Sequence, residues 1–386
     1  MIVARTSSRG RAAPVRALLS LMLALAMGAR APLANATGSA PPEPRPETVN
    51  PRKVIAAAEA LPPGGINELM AVRIGGIPQW ISIRGADRAN PILLFLHGGP
   101  GDPMMPESWT FQRPWEDFFT VVQWDQRDAG KTFSAAHRVP DRTMTMAQLQ
   151  SDTDQMISWL RHRYHKRKIF LLGFSFGSIL GLRVAIQHPN WLHAYIGVGQ
   201  VVNAYRNEVV GYRETLAKAE AVHDEAAIDA LKSIAPYPNP TGPTPISKVI
   251  IERRWDAALG GMLYGHTKDD ETQFWDLSPD YSSYDVRSAE LGELSSVEIL
   301  VPQLYNVSFD HDLSFGCPIV FFAGAHDRTT PESLVAAYYR KIRAPAKRFF
   351  LIQNAAHYVV NEAPGIVLMD LVRYVRPYDG RLSHEP

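Results

Sequence analysis

The residues with the clearest chemical potential form the pentapeptide GFSFG, residues 173–177. It directly follows an apolar stretch at residues 169–172 and precedes residues 178–187, which are compatible with a helix. A serine at a strand-to-helix turn is exposed as a nucleophile, and glycines permit the tight, strained backbone that such a turn needs. A structural Gly/Ser loop is the alternative, but it does not require this flanking pattern. We therefore predict that Ser175 is a nucleophile.

A serine hydroxyl is a weak nucleophile at neutral pH, so it needs a general base, and that base needs an orienting carboxylate. Asp327 and His357 each follow a predicted apolar strand, in the chain order Ser, Asp, His. Taken singly, they could be a turn residue and a capping residue. Because parallel strands end at the same edge of a sheet, we expect both side chains beside Ser175. His357 is predicted to be the base and then the acid, and Asp327 to fix its tautomer; His326 is discounted because neighbours in a turn rarely face each other.

Acyl transfer also requires backbone N–H donors for the tetrahedral oxyanion, and losing one donor costs about 3 kcal/mol of transition-state stabilisation. One donor is expected from Phe176, the residue after the predicted nucleophile. The second is assigned to Gly99, in the loop HGGPG at residues 97–101, where glycines let the backbone approach a substrate closely. His97 is interpreted as a structural hydrogen-bonding residue of this loop, in preference to a second base.

Short apolar runs alternate with helical segments along much of the chain. Residues 69–74 and 79–84 flank Gly75-Gly76 and predict a β-hairpin. Thr145 is placed to cap a helix that extends to Tyr164. Strands alternating with helices predict an α/β fold with a mainly parallel sheet. The predicted buried strands lie at residues 92–96, 119–124, 169–172, 194–198, 319–322 and 348–352.

The strand–helix alternation lapses between about residues 201 and 312, where helical pieces surround a proline-rich loop. We predict a mostly helical lid subdomain there, inserted between two parts of the core, residues 61–200 and 313–386. Residues 37–60 are predicted to be a Pro-rich linker, because their composition cannot bury a core.

Residues 1–36 have the order of features found in a secretory signal peptide: an arginine-containing start, an apolar stretch at residues 17–29 and small residues at 34–36. The apolar stretch is shorter than the roughly 20 residues that span a bilayer. We therefore predict export to the periplasm or medium, with an uncleaved anchor as the alternative and no stable membrane insertion after cleavage. Cys317 is the one cysteine, which excludes an intrachain disulfide.

Charge and motif content exclude several classes of function. The 40 Lys and Arg residues nearly balance 39 Asp and Glu residues, so no global field favours nucleic acid as a partner. No HExxH motif or clustered His/Cys spacing occurs, so we predict neither a metal nor another cofactor. The oligomeric state stays open.

At these motifs the chain resembles the proline iminopeptidase family of α/β-hydrolases. The HGGPG loop is the most specific marker, residues 125–127 (DQR) match a strand end of that family, and GFSFGS at 173–178 is similar to its GGSWGS. The resemblance covers about residues 71–198 and 318–364. It implies an α/β-hydrolase fold and release of an N-terminal residue, often proline. Asp128 stands where the family usually has glycine, and phenylalanines replace the usual Gly and Trp beside the serine.

The family holds the free amine of its substrate with acidic lid residues. The resemblance implies Glu208 and Asp256 as candidate amine ligands, with Glu290 and Glu293 as looser ones. The substrate would then be a small peptide or amide, cleaved through an acyl-enzyme. A carboxylic ester or non-peptide amide is the alternative, because the same triad serves both. A non-catalytic binding protein is the third possibility, disfavoured because every catalytic position holds the required residue type.

Overall fold

The computed structural model describes residues 49–265 and 271–380, and the fold is given for these alone. The predicted signal peptide, residues 1–36, lies outside them, as does the first part of the predicted linker. None of the helices in the described ranges is both long enough and apolar enough to cross a bilayer.

A single eight-stranded sheet organises the described part of the chain, in the spatial order 1-2-4-3-5-6-7-8. The first two strands form an antiparallel hairpin, as predicted, and the second pairs antiparallel with the fourth. All other pairings are parallel, so the predicted mainly parallel sheet is confirmed. The strands are β1 (Ile66–Ile74), β2 (Ile77–Gly85), β3 (Ile92–Leu96), β4 (Thr120–Asp125), β5 (Ile169–Phe174), β6 (Leu192–Val198), β7 (Ile319–Gly324) and β8 (Lys347–Ile352).

Helices flank this sheet on both faces. Strands covered on two sides read as continuous apolar runs, and β3 shows why, since Leu94 and Leu96 enter one apolar core while Leu93 and Phe95 enter the other. The helices are α1 (Pro51–Ala58), α2 (Gly130–Ala135), α3 (Met146–Arg163), α4 (Phe176–Gln187), α5 (Ala204–Ala221), α6 (Glu225–Ser233), α7 (Ile246–Ala258), α8 (Glu271–Leu277), α9 (Ser283–Leu300), α10 (Glu332–Lys341), α11 (Val359–Glu362) and α12 (Pro364–Asp370).

Helix boundaries follow local capping chemistry. The predicted cap of α3 is present, because the Thr145 side chain accepts the N–H of Gln148. Helix α1 differs from expectation, since it lies inside residues 37–60, which were predicted to be linker. The Asn50 side chain accepts the N–H of Arg52, and Pro51 occupies the first helical position, where its missing N–H is harmless. Residues 51–58 are therefore helical within the segment that was predicted to be a linker.

Helices α5 to α9 lie between β6 and β7, and we call residues 199–318 the β6–β7 insertion. The two ends of the insertion meet, because the N–H of Ala204 donates to the carbonyl of Val307 and Asn203 bridges to Ser308. This segment contains the stretch predicted to be a lid. It begins at the carboxyl end of β6, the edge of the sheet where ligands bind in open α/β folds.

Candidate active site

Ser175 lies at the turn between β5 and α4, in a backbone conformation that only a tight turn explains. Its φ of +50° and ψ of −119° are strained for a residue with a side chain. A Cβ at Gly177 would lie 2.2 Å from the carbonyl oxygen of Leu96, and a Cβ at Gly173 would lie 2.7 Å from that of Gly177. Both glycines are thus required by close backbone approach. This is the predicted strand-to-helix turn, and we call residues 173–177 the elbow.

The structure brings together the three side chains that the sequence placed in a triad. His357 Nε2 lies 2.9 Å from Ser175 Oγ, and His357 Nδ1 lies 2.9 Å from Asp327 Oδ2. The exposed fractions are 9% for Ser175, 2% for His357 and 3% for Asp327, so the hydrogen bonds are shielded from water. When Nδ1 donates to the carboxylate, Nε2 is free to accept the serine proton.

Thr330 completes the surroundings of Asp327, and the sequence analysis missed it. Its N–H donates to Asp327 Oδ1 at 2.7 Å and its hydroxyl donates to Oδ2 at 2.6 Å. The same hydroxyl oxygen lies 3.3 Å from His357 Nδ1. Both oxygens of the carboxylate are therefore fixed by one residue three positions later. The Asp-x-x-Thr spacing was the available signal, since short polar side chains often bond to backbone within such a turn.

The glycine-rich loop after β3 packs directly against Ser175. A Cβ at Gly98 would lie 3.1 Å from the Cβ of Ser175, tighter than almost all real Cβ contacts, so a larger residue there would have to displace its neighbours. Gly99 has a φ of +98°, in the region that glycine favours. Phe176 is the first residue of α4, where a backbone N–H has no partner within the helix. The two predicted oxyanion donors thus belong to segments adjacent to the serine.

His97 has the structural role that was expected of it. Its Nδ1 lies 3.0 Å from the carbonyl oxygen of Gly98, and its Nε2 accepts the N–H of Gln126 at 3.3 Å. Burial lowers the pKa of His97 to about 4, against a smaller opposing effect of the Gly98 hydrogen bond. The ring is therefore neutral at pH 7, with its proton on Nδ1, and it connects the glycine-rich loop to the end of β4.

Acidification is expected to destabilise the protein through His97. Its pKa falls from about 6.5 in the unfolded chain to about 4 in the folded one. Between these values the unfolded state binds the extra proton, so stability is present above about pH 6.5 and is lost as the pH falls. The loss from pH 7 to pH 5 is about 2 kcal/mol. Urea unfolding of wild type and His97→Asn across this range checks it; an equal pH slope in both proteins contradicts the assignment.

The β6–β7 insertion contacts the segment that carries His357. The carbonyl oxygen of Met262 accepts the N–H of His357 at 3.0 Å and that of Tyr358 at 3.2 Å. Helix α9 reaches the glycine-rich loop, because a Cβ at Gly101 would lie 2.6 Å from Ser296 Oγ and 3.1 Å from the Cα of Glu293. Two parts of the insertion therefore border the site.

Asp256 does not have the exposure expected of a substrate ligand. Its side chain is fully buried, with Oδ1 2.9 Å from Arg328 Nε and Oδ2 accepting the hydroxyl of Thr329 at 2.9 Å. Burial raises the pKa of Asp256, and the charge of Arg328 opposes this effect. Because Arg328 follows Asp327, the pair fastens α7 to the loop that carries the triad carboxylate. The structure thus gives Asp256 an internal role that the sequence did not indicate, and its role as an amine ligand stays a prediction.

Glu208 lies in the same charged cluster but is more accessible. Its carboxylate contacts the Arg253 guanidinium and accepts the Tyr237 hydroxyl, and its side chain is 23% exposed. Glu252, which the sequence analysis did not single out, is buried beside it and also contacts Arg253. Burial raises the pKa of Glu252. Glu290 and Glu293 lie on a different helix, α9.

The DQR segment is structural, as expected. Asp125 Oδ2 accepts the N–H of Lys131 at 2.7 Å and also the Tyr281 hydroxyl, and it is fully buried. Arg127 Nε lies 3.0 Å from Asp152 Oδ2. Asp128 has a φ of +58°, in the left-handed region where glycine is most at ease. Asp128 therefore adopts a backbone conformation that glycine would also accept.

The sheet order, the strained serine turn and the aligned Ser, His and Asp side chains define the class of α/β hydrolases. The family model described as "alpha/beta hydrolase fold" matches residues 91–364, and the chain belongs to that family.

The chain is also similar to individual proteins of known sequence or structure. The chain is 33% identical over 305 residues to the "Probable aminopeptidase YbaC" of Bacillus subtilis, covering 78% of this chain and 94% of that protein. Among solved structures, the proline iminopeptidase of Mycobacterium smegmatis superposes with a TM-score of 0.57 at 17% identity, over 81% of this chain and 99% of the other. The proline iminopeptidase-related protein of Thermus thermophilus gives 0.56 at 17%, over 81% and 99%. At these identities the structures speak for the fold alone.

Proposed function

We propose that this protein is a serine hydrolase that cleaves peptide or amide bonds through an acyl-enzyme. The observation that carries the proposal is the unbroken hydrogen-bonded line from Ser175 Oγ through the His357 ring to the Asp327 carboxylate. Such a line supplies a nucleophile, a base and an orienting acid in the order that acyl transfer requires.

In the acylation step, Ser175 Oγ attacks the substrate carbonyl carbon and its proton passes to His357 Nε2. The Asp327 carboxylate stabilises the resulting imidazolium, and the N–H groups of Gly99 and Phe176 receive the developing oxyanion. Collapse of the tetrahedral intermediate breaks the C–N bond, and the leaving amine takes the proton from His357. Deacylation repeats the sequence with water as nucleophile, activated by the same Nε2, and restores the serine.

We propose further that the substrate is cleaved at its N-terminal residue. The support is the 33% identity to a probable aminopeptidase over most of both chains, together with the acidic cluster in the β6–β7 insertion. Glu208 is the better placed of the two predicted amine ligands, because its side chain is partly exposed whereas that of Asp256 is not. A partly buried carboxylate attracts an ammonium group more strongly than one in bulk water.

A carboxylic ester or non-peptide amide hydrolase is the second candidate. The observation that favours it is the engagement of both carboxylates with arginines, Glu208 with Arg253 and Asp256 with Arg328. An amine ligand would have to share Glu208 with a guanidinium that already contacts it. The triad chemistry is the same in the two cases, so only the substrate distinguishes them.

A substrate panel decides between these candidates. We expect aminoacyl arylamides with a free amine, proline among them, to give a kcat/KM at least tenfold above their N-blocked counterparts and above simple acyl esters. Glu208→Gln should raise KM for the free-amine substrates and leave ester turnover unchanged, because it removes the charge that attracts the ammonium. Glu220→Gln, which alters an exposed carboxylate of the same helix, is the matched control. Faster turnover of blocked substrates or esters would reject the aminopeptidase assignment.

A further inference from the structure

Tyr358, the residue after His357, touches three other parts of the site. Its ring lies 5.3 Å from that of Phe174 in the elbow and stands perpendicular to the ring of His357 at 5.8 Å, measured between centroids. Its N–H donates to Met262 in the β6–β7 insertion. Its hydroxyl donates to Asp102 Oδ2 at 3.1 Å, at the end of the glycine-rich loop. One side chain thus connects segments more than 250 residues apart in sequence.

Asp102 links Tyr358 to Gly99, one of the predicted oxyanion donors. Its N–H closes the glycine-rich loop by donating to the carbonyl oxygen of Gly98 at 3.3 Å. A Cβ at Gly99 would lie only 3.0 Å from the Cβ of Asp102, so the two residues are in tight contact. Asp102 and Tyr358 are 8% and 6% exposed, so the hydrogen bond between them is shielded from water, where it is stronger than at the surface.

We propose that Tyr358 is a positioning residue that holds the glycine-rich loop, through Asp102, at a fixed separation from Ser175 and His357. Oxyanion stabilisation depends on donors that are already in place when charge develops, within a few tenths of an ångström of about 2.9 Å. The Tyr358 hydroxyl links the glycine-rich loop to the segment that carries His357, so it keeps the distance between the oxyanion donors and the base constant. The inference rests on the proposed serine hydrolase function.

The first test removes the hydroxyl and keeps the ring. Tyr358→Phe should lower kcat at least tenfold and change KM less than twofold, because the oxyanion forms only in the transition state. The thermal midpoint should stay within a few degrees of wild type, since the packing against Phe174 and His357 is retained. Tyr339→Phe is the control. It removes a hydroxyl of α10 that donates to the carbonyl oxygen of Lys347 in β8, and it should leave kcat unchanged.

The second test asks whether Tyr358 acts through Asp102. Asp102→Asn keeps an acceptor oxygen and should retain most of the activity, whereas Asp102→Ala should lose as much as Tyr358→Phe. The double variant Asp102→Ala with Tyr358→Phe should have a kcat no lower than that of the less active single variant, because both substitutions remove the same hydrogen bond between Tyr358 and Asp102. Multiplicative losses would overturn the inference. A rise in KM with unchanged kcat would also overturn it, since that result would make either side chain a substrate ligand.

Failure of this inference can be told apart from failure of the proposed function. A fluorophosphonate that phosphonylates Ser175 places its P=O oxygen in the oxyanion site, so its rate reports the donors without any substrate. Slower labelling of Tyr358→Phe, by about the factor seen in kcat, supports the inference. Equal rates in wild type and variant overturn it alone. No labelling of folded wild-type protein overturns the proposed function itself.

Discussion

Replacing Ser175 with alanine is expected to lower kcat/KM at least a thousandfold and to leave the thermal midpoint almost unchanged. The substitution removes Oγ, which lies 2.9 Å from His357 Nε2, and no other described hydroxyl stands at that nitrogen. The Cβ is retained, so the strained backbone and the contact with Gly98 stay as they are. Steady-state kinetics and a thermal melt on the same preparation measure both quantities.

Two outcomes would contradict the role of Ser175. Residual activity above about one part in a thousand in a well-folded variant would require another nucleophile. Failure of a fluorophosphonate to label the wild-type serine would revive the hypothesis of a non-catalytic binding protein on the same fold. Ser134→Ala, which removes a hydroxyl from α2 that donates to Asp285 at 2.7 Å, provides a matched control with expected wild-type turnover.

Asp327→Asn is expected to have the second-largest effect, a loss in kcat of about a thousandfold to ten-thousandfold. The Thr330 N–H donates to Oδ1, so the amide oxygen of the variant must occupy that position. The amide NH₂ then faces His357 Nδ1 and donates to it. The imidazole proton moves to Nε2, which can no longer accept the proton of Ser175.

The control for this substitution is Asp117→Asn, which makes the same chemical change on a half-exposed carboxylate that pairs with Arg113. It should keep wild-type turnover. An Asp327→Asn variant with more than a tenth of wild-type kcat would show that Asp327 does not orient the histidine. Because the amide is nearly isosteric with the carboxylate, folding should be preserved, and near-UV circular dichroism verifies it.

The parts of the site that were predictable depend on short-range rules. The serine turn was found because glycine is obligatory where a Cβ would strike backbone a few residues away, as at Gly173 against Gly177. Gly177 differs, since its Cβ would strike the carbonyl oxygen of Leu96 on a neighbouring strand. Strands β3 and β5 were predictable because they are buried on both faces, which requires continuous apolar runs in the sequence. Helix α1 was not predicted, because the Pro-rich composition of its surroundings indicated a linker and the capping residue Asn50 was not considered.

The parts that were not predictable depend on partners far along the chain. Asp256 was expected to face substrate, and the structure pairs it with Arg328, 72 residues later. Charge and polarity at a single position are the same whether the side chain meets water, substrate or a guanidinium. Thr330 is an intermediate case, because its contact is local but its value depends on Asp327 meeting His357.

By itself, the sequence determined the α/β architecture and predicted the serine turn and the candidate triad of Ser175, Asp327 and His357, since strand periodicity is a local pattern and the order of the three residues can be read along the chain. Only the tertiary structure decided which carboxylates are sealed in ion pairs and that Tyr358 reaches Asp102. The physical reason is that a hydrogen bond forms only when donor and acceptor lie about 3 Å apart. Such distances between remote segments are set by how the whole sheet and the β6–β7 insertion pack, which no local pattern records.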